Sequence, residues 1–290
     1  MTVALLKALN NPHVRRKMLR VSLIAIIAAY LAFCAHFYIR QEWYLLEPNA
    51  DPTGMESSAL KEQKFTLSPT QVKGDEALIH YRKYATTSTP VKGTVFYLHG
   101  NRGDMNKCEW EIEFLIKLGY NVWTMDYRGY GDSKGEISED ALRNDAMAVF
   151  ENITTEVGPE RVIIWGRSFG SGVAASVAAA CKDKPKMLVL ETPYWSLVDV
   201  TRQRCAIIPS SLFRYELPTH QYLVLAHCPI HLIHGTLDEK IPFNSSERLL
   251  DLCRSNSIQA KVHAIMCGLH NLRDEKTLAE FEETAAKILR

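Results

Sequence analysis

The chain has 290 residues, 47% of them apolar and 23% charged, with a net charge of +1. That is the composition of a globular protein with a sizeable core. Five basic residues and no acid fall within residues 1–20, leaving a mildly acidic body of 29 basic against 33 acidic groups, which excludes a nucleic-acid surface.

The basic cluster (Lys7, Arg15, Arg16, Lys17, Arg20) leads into VSLIAIIAAYLAFCAHFYI, residues 21–39, with no formal charge apart from one that His36 can take up. At 1.5 Å per residue this run comes close to the ~30 Å hydrocarbon core of a bilayer. The pattern predicts a basic cytoplasmic N-terminus (1–20), a transmembrane anchor (21–39) and an interfacial collar and linker (40–62) with Trp43 and Tyr44 at headgroup level. A segment apolar all round is poorly read as a core helix. A cleaved signal peptide shares the basic flank and apolar run, but this run exceeds the usual apolar length of a signal and no small-x-small site follows it. LAFC at 31–34 has Phe33 where a lipoprotein cleavage box needs a small residue.

Five basic residues precede the span and only Arg40 lies just after it, so the positive-inside rule predicts residues 41–290 on the extracytoplasmic side. The cysteines pull the other way. Six of the seven (108, 181, 205, 228, 253, 267) are scattered through the body without disulfide-framework or metal-ligand spacing, as in a reduced compartment. A Cys205–Cys228 pair would ease the conflict.

Beyond the linker, KFTLS and EALIHYRKY (76–84) read as strands joined by a polar turn containing Gly74, and GTVFYLHG (93–100) as a third strand. MNKCEWEIEFLIKLG (105–119) has helical apolar spacing with Gly119 suited to its C-terminal cap, and YNVWTMDY is again a strand. SEDALRNDAMAVFENITTE (138–156) is an amphipathic helix with Ser138 as N-cap. RVIIWG, KMLVLETP, PIHLIHGTLD (229–238) and AKVHAIMCG are strands. Between and after them come a small-residue helix to about Cys181, a helix over SSERLLDLCRSN, and a final helix over NLRDEKTLAEFEETAAKILR. Buried strands alternating with crossover helices predict an α/β fold, a mostly parallel sheet with helices on both faces. Residues 194–228 are too long for an ordinary connection and read as a cap insertion.

Ser168 lies just past RVIIW, at the tightest strand-to-helix turn in the chain. Gly166 and Gly170 leave room for that turn, completing the G-x-S-x-G nucleophile elbow. The helix beginning at Phe169 offers N–H groups and a positive dipole end to an oxyanion. A serine hydroxyl is barely nucleophilic at neutral pH, so a base and an orienting acid are needed, each at the end of a later strand. Asp238 and His270 stand there, in the order Ser, Asp, His. Glu191 is the one rival for the acid.

YLHGN (97–101), DYRGYGDSKG (126–135), GRSFG and HGTLDEKIP, followed by the late His270, resemble the α/β-hydrolases, in particular their single-pass, membrane-anchored group with a small cap. The resemblance covers about residues 63–290. It implies a backbone oxyanion hole from Phe169 N–H and Asn101 N–H, and hydrolysis of esters, thioesters or peptides.

Other polar residues invite plainer readings. Ser171 is inside the helix and reads as packing. His99, His234 and His263 read as structural. His231 and His234, three apart on a strand, point to opposite faces, which rules out a metal pair. Asp126 and Arg128 are expected to brace the loop between strand and helix, with Asp132 and Ser133 in the same turn-rich stretch. The cap's apolar residues are expected to cover the sheet, or to roof an acyl pocket over Ser168. The expected activity is membrane-tethered serine hydrolysis of an ester or thioester without metal or organic cofactor, on a small-molecule or lipid-like acyl substrate. A peptidase or amidase, acyl transfer to another alcohol, and a non-catalytic membrane-anchored binding protein on the same fold are the alternatives.

Overall fold

The structure, a computed structural model, describes residues 12–48, 62–67 and 77–290. Lys7, most of the expected linker and the turn at Gly74 lie outside the described residues. The chain opens with helix α1 (Pro12–Gln41), continued by a π-helical turn, Glu42–Leu46, that ends at Glu47 in the left-handed region (φ 47°). Among the described residues this is the one helix long and apolar enough to cross a membrane. Its middle is bare: Leu23, Ile24 and Ile27 are exposed, an apolar surface that water does not favour. Its end is not, for Phe37, Gln41 and Leu46 are buried against the body.

Eight strands follow: β1 (Glu62–Leu67), β2 (Ile79–Tyr84), β3 (Gly93–Leu98), β4 (Tyr120–Met125), β5 (Val162–Arg167), β6 (Met187–Glu191), β7 (Ile230–Gly235) and β8 (Ala260–Ile265). They form one sheet in the order β1-β2-β4-β3-β5-β6-β7-β8. Among these strands of the described residues, only the β1–β2 and β2–β4 pairings are antiparallel. The crossovers are α2 (Glu109–Lys117), α3 (Glu139–Val157) and α4 (Phe169–Ala180), then α5 (Leu197–Arg204) and α6 (Thr219–Leu225) between β6 and β7, and finally α7 (Asn244–Ser255) and α8 (Leu278–Ile288).

Each face of the sheet has its own core. On one, Phe96, Ile164 and Leu190 meet Val149 of α3, Val173 of α4, Leu223 of α6 and Leu249 of α7. On the other, Val95, Ile163 and Val189 meet Ile112 of α2 and Phe281 of α8. Two covered faces explain why β3 is buried at every position and reads as an unbroken apolar run.

Several local expectations shift. The stretch at 105–119 divides into a 3₁₀ turn (Met105–Cys108) and α2, because the Asp104 side chain accepts Asn106 N–H and starts the turn early. The last helix begins at Leu278 rather than Asn271. Arg273 is drawn inward to the acids Glu111 and Glu191, and Asp274 caps the backbone of Lys276 and Thr277. All seven cysteines are free thiols, so the Cys205–Cys228 pair is not made. Cys228 packs in the main core while Cys205 lies beside the cluster of Phe37, Ile208 and Phe213.

The chain leaves β3 toward β4 on one side and leaves β5 toward β6 on the other. A crevice opens at such a switch point, beyond the carboxyl ends of the two strands. The segments leaving those ends carry Asn101 and Ser168.

Candidate active site

Ser168 sits between β5 and α4 with φ 50° and ψ −117°, a backbone state that non-glycine residues rarely adopt. Two hydrogen bonds hold it there: Ser168 N–H donates to Glu191 O (2.8 Å), and Ser171 N–H donates to Ser168 O (2.9 Å). The flanking glycines are steric necessities. A Cβ on Gly166 would meet Ala174 Cβ at 2.6 Å, and one on Gly170 would run into the carbonyls of Leu98 and His99. The bend therefore presses against the end of β3, which brings Gly100 and Asn101 beside Ser168. Gly172 serves the same closeness further along, leaving space for Tyr194, whose hydroxyl donates to Phe169 O (3.0 Å).

The expected partners arrive from the ends of β7 and β8. Ser168 Oγ lies 3.0 Å from His270 Nε2, and His270 Nδ1 lies 2.8 Å from Asp238 Oδ2. Asp238 is firmly seated: its Oδ1 accepts Lys240 N–H and Ile241 N–H, each at 2.8 Å. His234 Nε2 approaches Oδ2 at 3.2 Å from the other side, and Ser246 Oγ is 2.7 Å from His234 Nδ1. Burial pushes the Asp238 carboxyl up, but the hydrogen bonds from His234, His270 and Ile241 N–H outweigh it and hold the group well below the usual carboxylate range. His270 is fixed at its backbone too, its N–H donating to Glu239 Oε2 (3.0 Å).

Glu191 stands apart from this chain. Its carboxylate is taken by Arg273, by Arg167 Nε (3.1 Å) and by Trp165 Nε1 (3.3 Å), while Glu111 binds the same two arginines. Burial pushes Glu191 up and the arginines more than offset that, holding it ionised below its ordinary value. The elbow's own Arg167 signals half of this buried network. Arg273, within a stretch of helical appearance, carries no such signal.

Phe169 N–H, the first of α4, is among those a helix leaves unpaired, and Asn101 borders the same cavity as Ser168 and His270. The Asn101 side chain donates to Leu45 O (3.3 Å). The histidine ahead of that loop is braced: His99 Nδ1–H donates to Gly100 O (2.7 Å), Tyr127 OH donates to His99 O (2.9 Å), and burial pulls the imidazole down to about 4. His231 and His263 pair with one another across β7 and β8 at 3.0 Å. Asp126 Oδ1 accepts Met105 N–H (2.7 Å), and Arg128 pairs with buried Asp145 (2.6 Å), so both brace loops. Ser171 is wholly buried within α4. Among the described residues no cluster of His, Cys, Asp and Glu is arranged to hold a metal ion.

Two cavities meet at Ser168 and His270. One, of about 510 Å³, is mainly aromatic and aliphatic. The other, of about 420 Å³, carries five basic side chains against two acidic ones.

An open, mostly parallel sheet with a nucleophile elbow at its switch point is the architecture of an α/β-hydrolase. Comparison with known proteins agrees. A protein-family model described as serine aminopeptidase, S33, matches residues 89–215. An uncharacterized protein of Mycobacterium tuberculosis, Rv2307c, is 30% identical over 233 residues, covering 79% of this chain and 80% of that one. The lysophosphatidylserine lipase ABHD12 of Danio rerio is 32% identical over 196 residues, 59% of this chain and 49% of the lipase. The chain thus spans about half the length of the lipases it matches. Among solved structures, the Pyrococcus furiosus esterase Pf2001 superposes with a TM-score of 0.65 at 18% identity, over 82% of this chain and 96% of its own. Mouse alpha/beta hydrolase domain-containing protein 10 does so with 0.59 at 20% identity, over 78% and 98%. The chain belongs to the α/β-hydrolase superfamily of serine hydrolases.

Proposed function

We propose that this protein is a membrane-tethered serine hydrolase that cleaves the acyl ester or thioester of a lipid-like substrate. The observation that carries the reading is the hydrogen-bonded chain from Ser168 through His270 to Asp238 at the junction of an apolar and a basic cavity. Ser168 Oγ attacks the acyl carbonyl while His270 Nε2 takes its proton, and Asp238 orients and stabilises the imidazolium. Phe169 N–H and Asn101 N–H hold the tetrahedral oxyanion. As that intermediate collapses, the bond to the leaving group breaks and His270 protonates the departing oxygen or sulfur. Water, deprotonated by His270, then attacks the acyl-enzyme and frees the acid and Ser168.

The two cavities support an amphiphile: the acyl chain takes the apolar side and an anionic leaving group the basic one, where Lys240 borders both cavities while Arg167, Arg273 and Arg102 are paired with Glu111, Glu191 and Glu47. A lysophospholipid, named for the matched lipases, has that form. The family model's description raises an aminopeptidase as a second reading. Such an enzyme needs a carboxylate free to grip the substrate amine. The two acids of the basic cavity are already engaged, Glu111 by Arg167 and Arg273, Asp104 by Asn106, which favours the ester.

Residues 21–39 serve as the anchor and 63–290 as the hydrolase domain, whose cap at 194–228 is seated against the second half of the anchor and so dips into the adjacent leaflet. Burial of Phe37, Gln41 and Leu46 against the body supports an uncleaved helix, since removing it would strip that contact. The charge bias supports a cytoplasmic N-terminus with the domain on the opposite side. Fluorophosphonate labelling of detergent-solubilised protein tests the catalytic part of the reading. Wild type is labelled, Ser168→Ala is not, and a folded wild type that resists labelling would leave the non-catalytic binding protein as the better account.

A further inference from the structure

The apolar cavity beside Ser168 has two walls. One comes from the cap, through Leu197, Val200 and Ile208. The other comes from the membrane helix, through Phe33 and Phe37 of α1 and Leu45 of the turn that ends it. This second wall is built in, not merely leaning. Phe37 packs edge-on against Phe213 of the cap (ring centroids 5.2 Å apart). Buried Gln41 donates to Leu212 O (2.6 Å) and accepts Arg214 N–H (2.8 Å), and Tyr30 OH donates to Ile207 O (3.0 Å). The bond from Asn101 to Leu45 O ties the loop beside Ser168 to the same terminal turn. Further toward the N-terminus, Leu23, Ile24 and Ile27 are exposed. One helix thus passes from an exposed apolar stretch to the pocket-lining Phe33 and Phe37 before it kinks at Arg40.

We propose that α1 is a working wall of the acyl site as well as a tether. The acyl chain of the substrate lies between α1 and the cap, having entered along α1 from the bilayer, and Phe33 together with Val200 across the cavity limits the chain length accepted. This rests on the ester-hydrolase reading above. A cavity closed by an apolar wall rewards each buried methylene by about fourfold in kcat/KM, until the wall is reached. Moving the wall inward removes that reward for long chains first.

The test uses the full chain in detergent or nanodiscs with p-nitrophenyl dodecanoate and p-nitrophenyl butanoate. The readout is the ratio of the two kcat/KM values, with fluorophosphonate labelling of Ser168 reporting an intact elbow. Phe33→Trp, and independently Val200→Trp, are each expected to lower the dodecanoate-to-butanoate ratio by about tenfold or more. Leu23→Trp, on the lipid-facing stretch, is expected to leave it at the wild-type value. A ratio within twofold of wild type in Phe33→Trp, whatever Val200→Trp does, or an equal fall in Leu23→Trp, overturns the inference. Failure of the underlying reading looks different: wild type itself then cleaves neither ester and takes up no fluorophosphonate.

Discussion

Asp238→Asn is the sharpest probe of the proposed relay, because the geometry dictates how the new amide must sit. In wild type, Asp238 Oδ1 faces two backbone N–H donors, Lys240 and Ile241, while Oδ2 faces His270 Nδ1 and His234 Nε2. An asparagine has one oxygen, and the two backbone donors claim it. The NH2 group is then left toward His270 and donates to Nδ1. An imidazole accepting at Nδ1 carries its proton on Nε2, pointing it at Ser168 Oγ, so the base arrives already protonated. The expected loss in kcat/KM for a p-nitrophenyl ester is about 10⁴-fold, or about 5 kcal/mol of transition-state stabilisation. Fluorophosphonate labelling should slow in parallel, since it uses the same activated oxygen. The fold should hold, because the backbone hydrogen bonds at Lys240 and Ile241 are retained. Activity within tenfold of wild type in a protein with wild-type unfolding behaviour refutes the reasoning and removes Asp238 as the orienting acid.

Glu191→Gln separates the rival acid from the relay. It leaves Arg273 and Arg167 with Glu111 as their one remaining carboxylate at the site, and breaking a buried pair from one side costs about 3–5 kcal/mol, to be read as a lower midpoint in urea. An unchanged midpoint would mean that the network contributes nothing to stability. Asp126 gives a pH dependence of definite sign. Burial pushes its carboxyl up to about 7, above the 3.8 of an unperturbed aspartate, so the folded state binds a proton that the unfolded state releases. Its contribution is complete below about 4 and is lost as the pH rises through 7, at most roughly 1.4 kcal/mol per pH unit. Asp126→Asn should flatten that decline in urea titrations between pH 4 and 7, and a slope unchanged by the substitution counts against the raised value. Cys267 is the one cysteine with an exposed side chain, Cys205 being half-buried and the others buried. In sealed membrane vesicles with the cytoplasmic face outward, a membrane-impermeant maleimide should label it only after the vesicles are opened, and a Cys267→Ser variant should lose that label. Labelling of the sealed vesicles would place the domain on the cytoplasmic side.

What could be read from the chain before folding was whatever depends on local order. Ser168 announces itself because the elbow needs a strand, two glycines and a small-residue helix in immediate succession. Asp238 and His270 follow because each stands just past an apolar strand, and a parallel sheet brings all strand ends to one side. Arg273 was hidden for the opposite reason. It lies in NLRDEKTLAEF, whose helical character is real from Leu278 onward, and only partners 82 and 162 residues earlier in the chain, Glu191 and Glu111, pull it out of that pattern. The largest omission concerns the N-terminal helix. Hydropathy reads residues 21–39 as one uniform span, because it cannot register that Phe33 and Phe37, late in the run, line a cavity while Leu23 and Ile27, earlier along the same helix, are exposed. A tether alone could be of any apolar sequence joined by any linker. Here no slack linker follows the span directly: Gln41, Glu42 and Leu46 enter hydrogen bonds and packing with Leu212, Arg214, Tyr215 and Tyr130. With α1 as the proposed anchor, the distance from bilayer to Ser168 is set by protein contacts, and membrane attachment and substrate access become properties of the same few side chains.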